Sequence, residues 1–271
     1  MPEPSVVAFL SSGRCGTRWL AEGIRELCPD VEVEHEPIGP LYEPRRYFRR
    51  YDDPGAILEV PEVRSHIARI AQAERPYFET GWPLLAGLPL LGELLGDRLR
   101  IVHLTRHPVA SALAHLADSA YAGSDRNDDY TRLATLGPLD PNVFQPRYAD
   151  VWHHLSPYEK CLFWWTEVNL FALELPGRLR QIPFIRIKAE DMLSGKRPEL
   201  ERLLKFMGLP WDPRWLDRAS AVADSWHRQA RVLTDPLEVH RHPTTIELAR
   251  ELGYVVAGRT RGELHSGAVS S

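Results

Sequence analysis

Short apolar runs alternate along this chain with stretches whose apolar residues recur at helical spacing. Residues 6–10 (VVAFL) form an unbroken apolar run, as a strand covered on both faces would. Helical spacing then begins at Leu20 and continues through Ile24, Leu27 and Cys28, so a helix opens at Thr17. Further strands are predicted at 31–34, 77–80 and 99–105. Helices are predicted at 61–74, with Val63, Ile67, Ile70 and Ala71 on one face, and at 84–95. Pro108 is pre-set for the first turn of a helix carrying Ala112, Leu113 and Leu116. Helices near 157–175, 198–207 and 243–252 complete the series. Residues 42–51, rich in Arg and Tyr, read as an irregular or surface segment. Residues 118–150 read as a polar loop punctuated by Pro and Gly, of a length that in compact domains is functional or disordered. This alternation predicts an α/β protein with three layers, α/β/α, and a mostly parallel central sheet. At 271 residues the chain suits one domain over 1–271, with an insertion around 118–156 and a polar tail from about 256.

The most informative unit is VVAFLSSGRCGTRWL, residues 6–20. Ser11, Ser12, Gly13 and Gly16 let the backbone turn sharply and expose its N–H groups. Such groups at a helix N-terminus, beside a glycine turn, take a tetrahedral anion. Arg14 and Arg18 add positive charge at the same place. The loop is not a Walker A motif, which needs Lys-Ser/Thr after its last glycine; here Thr17-Arg18-Trp19 follows Gly16. The plain alternative is a strand–turn–helix corner with solvated arginines. A second candidate is Arg106-His107-Pro108 at the end of strand 99–105. An arginine at the carboxyl end of a parallel strand, pointing into the crevice, is placed to hold a second phosphate. Two anion cradles on one sheet imply a nucleotide charged at both ends.

Taken together these motifs resemble the sulfotransferases that use 3′-phosphoadenosine 5′-phosphosulfate (PAPS). In that family the first loop reads roughly Pro-Lys/Arg-Ser-Gly-Thr-Thr-Trp/Leu, and Gly13-Arg14-Cys15-Gly16-Thr17-Arg18-Trp19 lies in register with it. Arg106-His107-Pro108 matches the family's Arg-Asp/Asn-Pro corner. Residues 185–210, IRIKAEDMLSGKRPELERLLKFMGLP, resemble its strand, Glu-Asp turn and Leu-rich helix, and residues 158–169, YEKCLFWWTEVN, its Trp-rich helix. The chain departs from the pattern at Ala114, where a serine is usual; Ser111 is one turn earlier and can partly substitute. Ala189 stands where some members carry a tyrosine.

The resemblance implies a transferase that moves a sulfuryl group in line from PAPS to a hydroxyl, less readily an amine, of a small-molecule or carbohydrate acceptor, releasing PAP. It implies no metal. Arg14 and the N–H groups of residues 15–18 would stabilise the leaving phosphate, and Trp19 would offer adenine a stacking face, core packing being its alternative. Arg106 and Ser111 would meet the second phosphate. For the general base the candidates are Glu36 in His-Glu-Pro, then Glu79 in Phe-Glu-Thr, with His35 and His107 behind them; either carboxylate has a plain alternative as a solvated loop group or a partner for Arg14. His153 and His154 read as loop polar groups, Glu190-Asp191 as a cap on the following segment, and Arg259 with Arg261-Gly262 as similar to a C-terminal phosphate contact. Tyr42, Tyr47, Tyr51, Tyr121, Tyr130 and Trp152 offer stacking surfaces for an acceptor between 38–55, 118–156 and the Trp-rich helix.

Composition narrows the partners. A net charge of −4 argues against a general nucleic-acid binder. Four of the 33 basic residues are lysine, an arginine bias that suits phosphate and sulfate but that genome composition explains equally well. The three cysteines, Cys15, Cys28 and Cys161, have no paired spacing and suggest a reducing compartment. With no long apolar segment and an N-terminal run too short for a signal peptide, a cytoplasmic protein without a membrane partner is expected. No feature speaks to oligomeric state. Two other readings stay open: a nucleotide kinase or NTPase, and a non-catalytic protein that binds PAP or PAPS.

Overall fold

The computed structural model describes residues 5–121, 134–226 and 234–256. Tyr130, part of the expected insertion, and Arg259, Arg261 and Gly262 in the polar tail lie outside them. Five parallel strands, β1 (Val6–Ser11), β2 (Glu32–His35), β3 (Tyr77–Thr80), β4 (Leu99–Thr105) and β5 (Phe184–Lys188), form one sheet in the order β2-β3-β1-β4-β5. In the central strand Val6 lies opposite both Tyr77 and Leu99.

The unbroken apolar run of β1 follows from this place. Val6, Ala8 and Leu10 face one core, and Val7 and Phe9 face another on the opposite side of the sheet. Among the described residues the full helices are α1 (Thr17–Leu27), α2 (Pro44–Tyr47), α3 (Pro61–Ala71), α4 (Leu88–Leu95), α5 (Pro108–Ala117), α6 (Pro157–Arg178), α7 (Ala189–Leu193), α8 (Arg197–Met207), α9 (Arg214–Trp226) and α10 (Pro243–Glu251). One core takes residues of α3, α4 and α6, the other residues of α1, α7, α8 and α9. The result is the predicted three-layer parallel α/β architecture. Because β1 lies between β3 and β4, the carboxyl ends of these strands meet at a switch point, where open α/β sheets hold ligands.

Several local expectations change. Segment 42–51 is core rather than surface: it holds α2, and Tyr42, Tyr47 and Phe48 are buried. Long side chains set among arginines hid this, because the chain turns each aromatic ring inward individually. The leucine-rich helix expected over 84–95 begins as a 3₁₀ segment, Pro83–Gly87, with Pro89 in the first turn of α4. Helix α9 was not expected from the pattern. It packs Trp215 directly over Gly23 of α1, where an added Cβ would stand 2.4 Å from the indole.

Candidate active site

After β1 the chain turns through Ser12, Gly13, Arg14, Cys15 and Gly16 into α1, with left-handed backbone at Gly13 (φ 83°), Arg14 (φ 57°) and Gly16 (φ 82°). Three successive carbonyls of this loop are held by donors. The Ser12 carbonyl accepts from His115 Nε2 at 2.7 Å and from Trp164 Nε1 at 2.7 Å. The Gly13 carbonyl accepts from the Cys15 thiol at 3.1 Å, and the Arg14 carbonyl from Arg106 Nη1 at 2.8 Å. The Gly13 N–H donates to Ser11 Oγ at 3.1 Å. By contrast, the N–H groups of Cys15, Gly16, Thr17 and Arg18 have no hydrogen-bond partner among the described residues. Gly13 is required by proximity: a Cβ there would lie 2.9 Å from both His115 Cε1 and Trp82 Cδ1.

The cations around the loop differ in kind. Arg14 is half exposed and pairs at 2.7 Å with Asp118, just beyond the end of α5. Arg18 is exposed on α1. Arg106 is only 4% exposed and braces the loop through the Arg14 carbonyl. It stands just past the carboxyl end of β4, the place predicted for the second cradle, with one guanidinium N–H turned to the first loop. The corner after it is fixed by two bonds, and the carboxylate that makes one of them is itself held. Trp165 Nε1 donates to the Arg106 carbonyl at 2.9 Å, the His107 N–H donates to Glu190 Oε1 at 2.8 Å, and Tyr254 OH donates to Glu190 Oε2 at 3.1 Å. Glu190 therefore holds the corner after β4, and no side chain caps the helix that follows its turn, α8. Ser111, one turn into α5, is buried with its Oγ 3.4 Å from Ser12 Oγ, and Ala114 is buried on the same helix. Burial pushes the Cys15 thiol up to about 12, so it stays protonated and donates.

Trp19 does not offer an open stacking face. Its indole packs edge-on against Trp215 with centroids 5.5 Å apart, and Nε1 donates to the Arg218 carbonyl at 3.3 Å. Core packing between α1 and α9 is what the structure gives it. Of the aromatic acceptor surfaces, Tyr42 and Tyr47 are buried, while Tyr121 and Trp152 pack on each other edge-to-face.

The two carboxylates expected as bases part company. Glu36 follows β2 with left-handed backbone (φ 49°), and its N–H donates to the Thr80 carbonyl at 3.1 Å. Its side chain lies over Gly81, where a Cβ would approach within 2.4 Å of Glu36 Cγ. The next residue, Trp82, touches Gly13, so the Gly81-Trp82 dipeptide links Glu36 to the loop after β1. A groove of about 700 Å³ is lined by Glu34 and Pro37, on either side of Glu36, and by Glu62, Ser65 and Arg69 of α3.

Glu79 sits inside β3 rather than beyond it and is 1% exposed. Its carboxylate accepts from Tyr42 OH at 2.9 Å, His66 Nε2 at 2.7 Å and Tyr77 OH at 3.3 Å. Arg69 donates to His66 Nδ1 at 3.0 Å, which places the imidazole proton on Nε2. Glu79 is neither a solvated loop group nor a partner of Arg14, and it is closed off from an acceptor. His35 Nδ1 donates to the Thr80 carbonyl at 2.8 Å, and His107 Nε2 lies 3.1 Å from the Val255 carbonyl.

Sequence reasoning missed His115, Trp82, Trp164 and Asp118. One signal was available: Ser111 and His115 are four apart on α5, so they share the face turned to the loop. Nothing local marked Trp82 or Asp118. Among the described residues no cluster of three or more His, Cys, Asp or Glu is placed to hold a metal, and no helix is long and apolar enough to cross a membrane.

No family model and no curated protein matches the chain. Among solved structures it is similar to the sulfotransferase domain of the Synechococcus PCC 7002 olefin synthase, with 17% identity, 95% of this chain and 98% of that chain covered, and a TM-score of 0.45. It is also similar to a sulfotransferase from Alicyclobacillus acidocaldarius, with 14% identity, 94% and 98% coverage and a TM-score of 0.45. Mouse sulfotransferase SULT7A1 complexed with PAP matches with 15% identity, 84% of this chain, 68% of that chain and a TM-score of 0.43.

Proposed function

We propose that this chain is a sulfotransferase that takes a sulfuryl group from PAPS and passes it to a hydroxyl of a small-molecule or carbohydrate acceptor. One observation carries the reading. Behind the loop after β1, the carbonyls of Ser12, Gly13 and Arg14 are all bonded to donors, while the N–H groups of Cys15, Gly16, Thr17 and Arg18 are left open beside Arg14. Such a surface suits a tetrahedral anion. The loop lacks the Lys-Ser/Thr pair with which NTPases grip nucleoside triphosphates, which favours the sulfuryl carrier over ATP.

PAPS, when bound, supplies the sulfuryl group and a phosphate leaving group. The open N–H groups and Arg14 hold the donor's anionic end and stabilise the charge that develops as the sulfuryl group departs. Arg106 orients the loop by fixing the Arg14 carbonyl. The buried hydroxyls of Ser12 and Ser111, 3.4 Å apart, join α5 to the loop behind that site. Glu36, held over Gly81, takes the proton of the acceptor hydroxyl, and the groove that flanks it receives the rest of the acceptor. Calorimetry with PAP, followed by transfer of labelled sulfate from PAPS to an acceptor panel, tests the proposal. Saturable PAP uptake with transfer that is lost in Arg14→Ala is expected. Absence of PAP uptake overturns the reading, and uptake without transfer to any acceptor reduces it to a binding protein.

A further inference from the structure

The Ser12–Gly13 peptide presents a problem that the anion loop has to solve. β1 ends at Ser11, so no ladder bond fixes the Ser12 carbonyl. Gly13 must lack a side chain because His115 and Trp82 crowd it. Glycine accepts either sign of φ, so only the bonds that this peptide makes keep it from flipping, and on its N–H side there is one, from Gly13 to Ser11 Oγ at 3.1 Å. A flipped peptide would direct a carbonyl oxygen, rather than the back of a peptide, toward an anion. In the structure the carbonyl is held by two N–H donors at 2.7 Å, one from α5 and one from α6.

We infer that His115 is a positioning residue of the anion site, acting with Trp164 to hold the Ser12 carbonyl turned away from the ligand. The inference rests on the anion-binding part of the function proposed above. His115 reaches the loop from the same helical face as Ser111 and is only 7% exposed. Burial, together with the charges of Arg14 and Arg106, pushes the imidazole down to about 4, so it is neutral at ordinary pH. A neutral ring carries a single N–H, and the Ser12 carbonyl assigns it to Nε2. The side chain thus supplies a donor without adding a charge that would compete with Arg14 for the anion.

Two variants separate positioning from packing. His115→Gln keeps an N–H near the place of Nε2, whereas His115→Leu removes the donor at similar volume. Inorganic pyrophosphate reports on the loop, PAP on the complete carrier site, and adenosine serves as an uncharged control, each titrated by calorimetry or NMR. The Leu variant should bind pyrophosphate and PAP about tenfold more weakly, the cost of one buried hydrogen bond, with adenosine uptake unchanged. The Gln variant should stay within about threefold of the wild type. Should the Leu protein not fold, His115→Asn, whose amide is too short to reach Ser12, replaces it. Unchanged anion affinity in the donor-less variant overturns the inference, as does equal weakening in the Gln and Leu variants. A wild type that binds pyrophosphate but not PAP refutes the sulfuryl reading while His115 is still judged on pyrophosphate; one that binds neither refutes both.

Discussion

The carboxyl ends of β1 and β3 are neighbours in the sheet and both are dense in polar groups, yet they have opposite fates. After β1, four consecutive N–H groups have no partner among the described residues, beside a half-exposed Arg14 that pairs with Asp118. At β3, the Glu79 carboxylate is closed within a ring of Tyr42, His66 and Tyr77, and Arg69 completes the chain through His66. Both regions are built from side chains far apart in sequence. The difference is where unsatisfied hydrogen-bonding capacity remains. A polar cluster whose members satisfy one another supports the fold, whereas one that leaves consecutive N–H groups unpartnered suits the anionic ligand proposed above.

If that contrast is right, substitutions at the two ends should divide cleanly between chemistry and stability. The largest effect is expected from Glu36→Gln, which should lower kcat by up to about 10⁴-fold and leave the PAP Kd unchanged; retained turnover would place the base elsewhere. Arg14→Ala should lower transfer by about 10²- to 10³-fold. Its ion pair with Asp118 is half exposed on both sides and contributes about 0–1 kcal/mol, so urea unfolding should barely change. Glu79→Leu should do the reverse. It leaves His66 and Tyr42 buried without their acceptor, which costs about 3 kcal/mol, while the folded fraction keeps its kcat.

Glu167 on α6 sharpens the contrast, because it is a third buried carboxylate, accepting from the Phe144 N–H at 2.7 Å and from Gln145 Nε2 at 3.3 Å. Burial raises it to about 7 from an ordinary 4.5. Between those values the folded protein holds a proton that the unfolded chain has released. Its contribution is therefore fully present below about 4.5 and is lost as the pH rises through about 7. Glu167→Gln should flatten that part of the stability profile by on the order of 2 kcal/mol, measured by urea unfolding at several pH values. His103 and His115 slope the other way: burial lowers them to about 3 and about 4, so both lose stabilisation as the pH falls below their ordinary 6.5. The smallest effect belongs to Asp118→Asn. Removing the carboxylate that holds Arg14 should tighten PAP by about two- to fivefold, the range of an exposed ion pair.

Backbone features were the readable part. The apolar run of β1, the glycines after it and the arginine corner after β4 each show in a few adjacent residues, because strand burial and tight turns are local demands. Side-chain destinations were not readable in the same way. Glu79 looked like a base because it stands near a strand end, but strand alternation turned it toward His66 on α3. Nor could the bond from Arg106 to the Arg14 carbonyl be read, because it crosses a sequence gap that no local pattern spans. Trp19 belongs to the α1–α9 contact because Trp215, on a helix the pattern did not reveal, lies against it.

The chain alone determined a parallel α/β scaffold and a glycine turn between its first strand and first helix, since hydrophobic period and backbone freedom are written into neighbouring residues. Only the tertiary structure decided which polar groups remain available. That depends on which donors and acceptors packing brings within about 3 Å of one another, and His115, Trp164 and Arg106 reach the loop from two helices and a strand-end corner far along the chain.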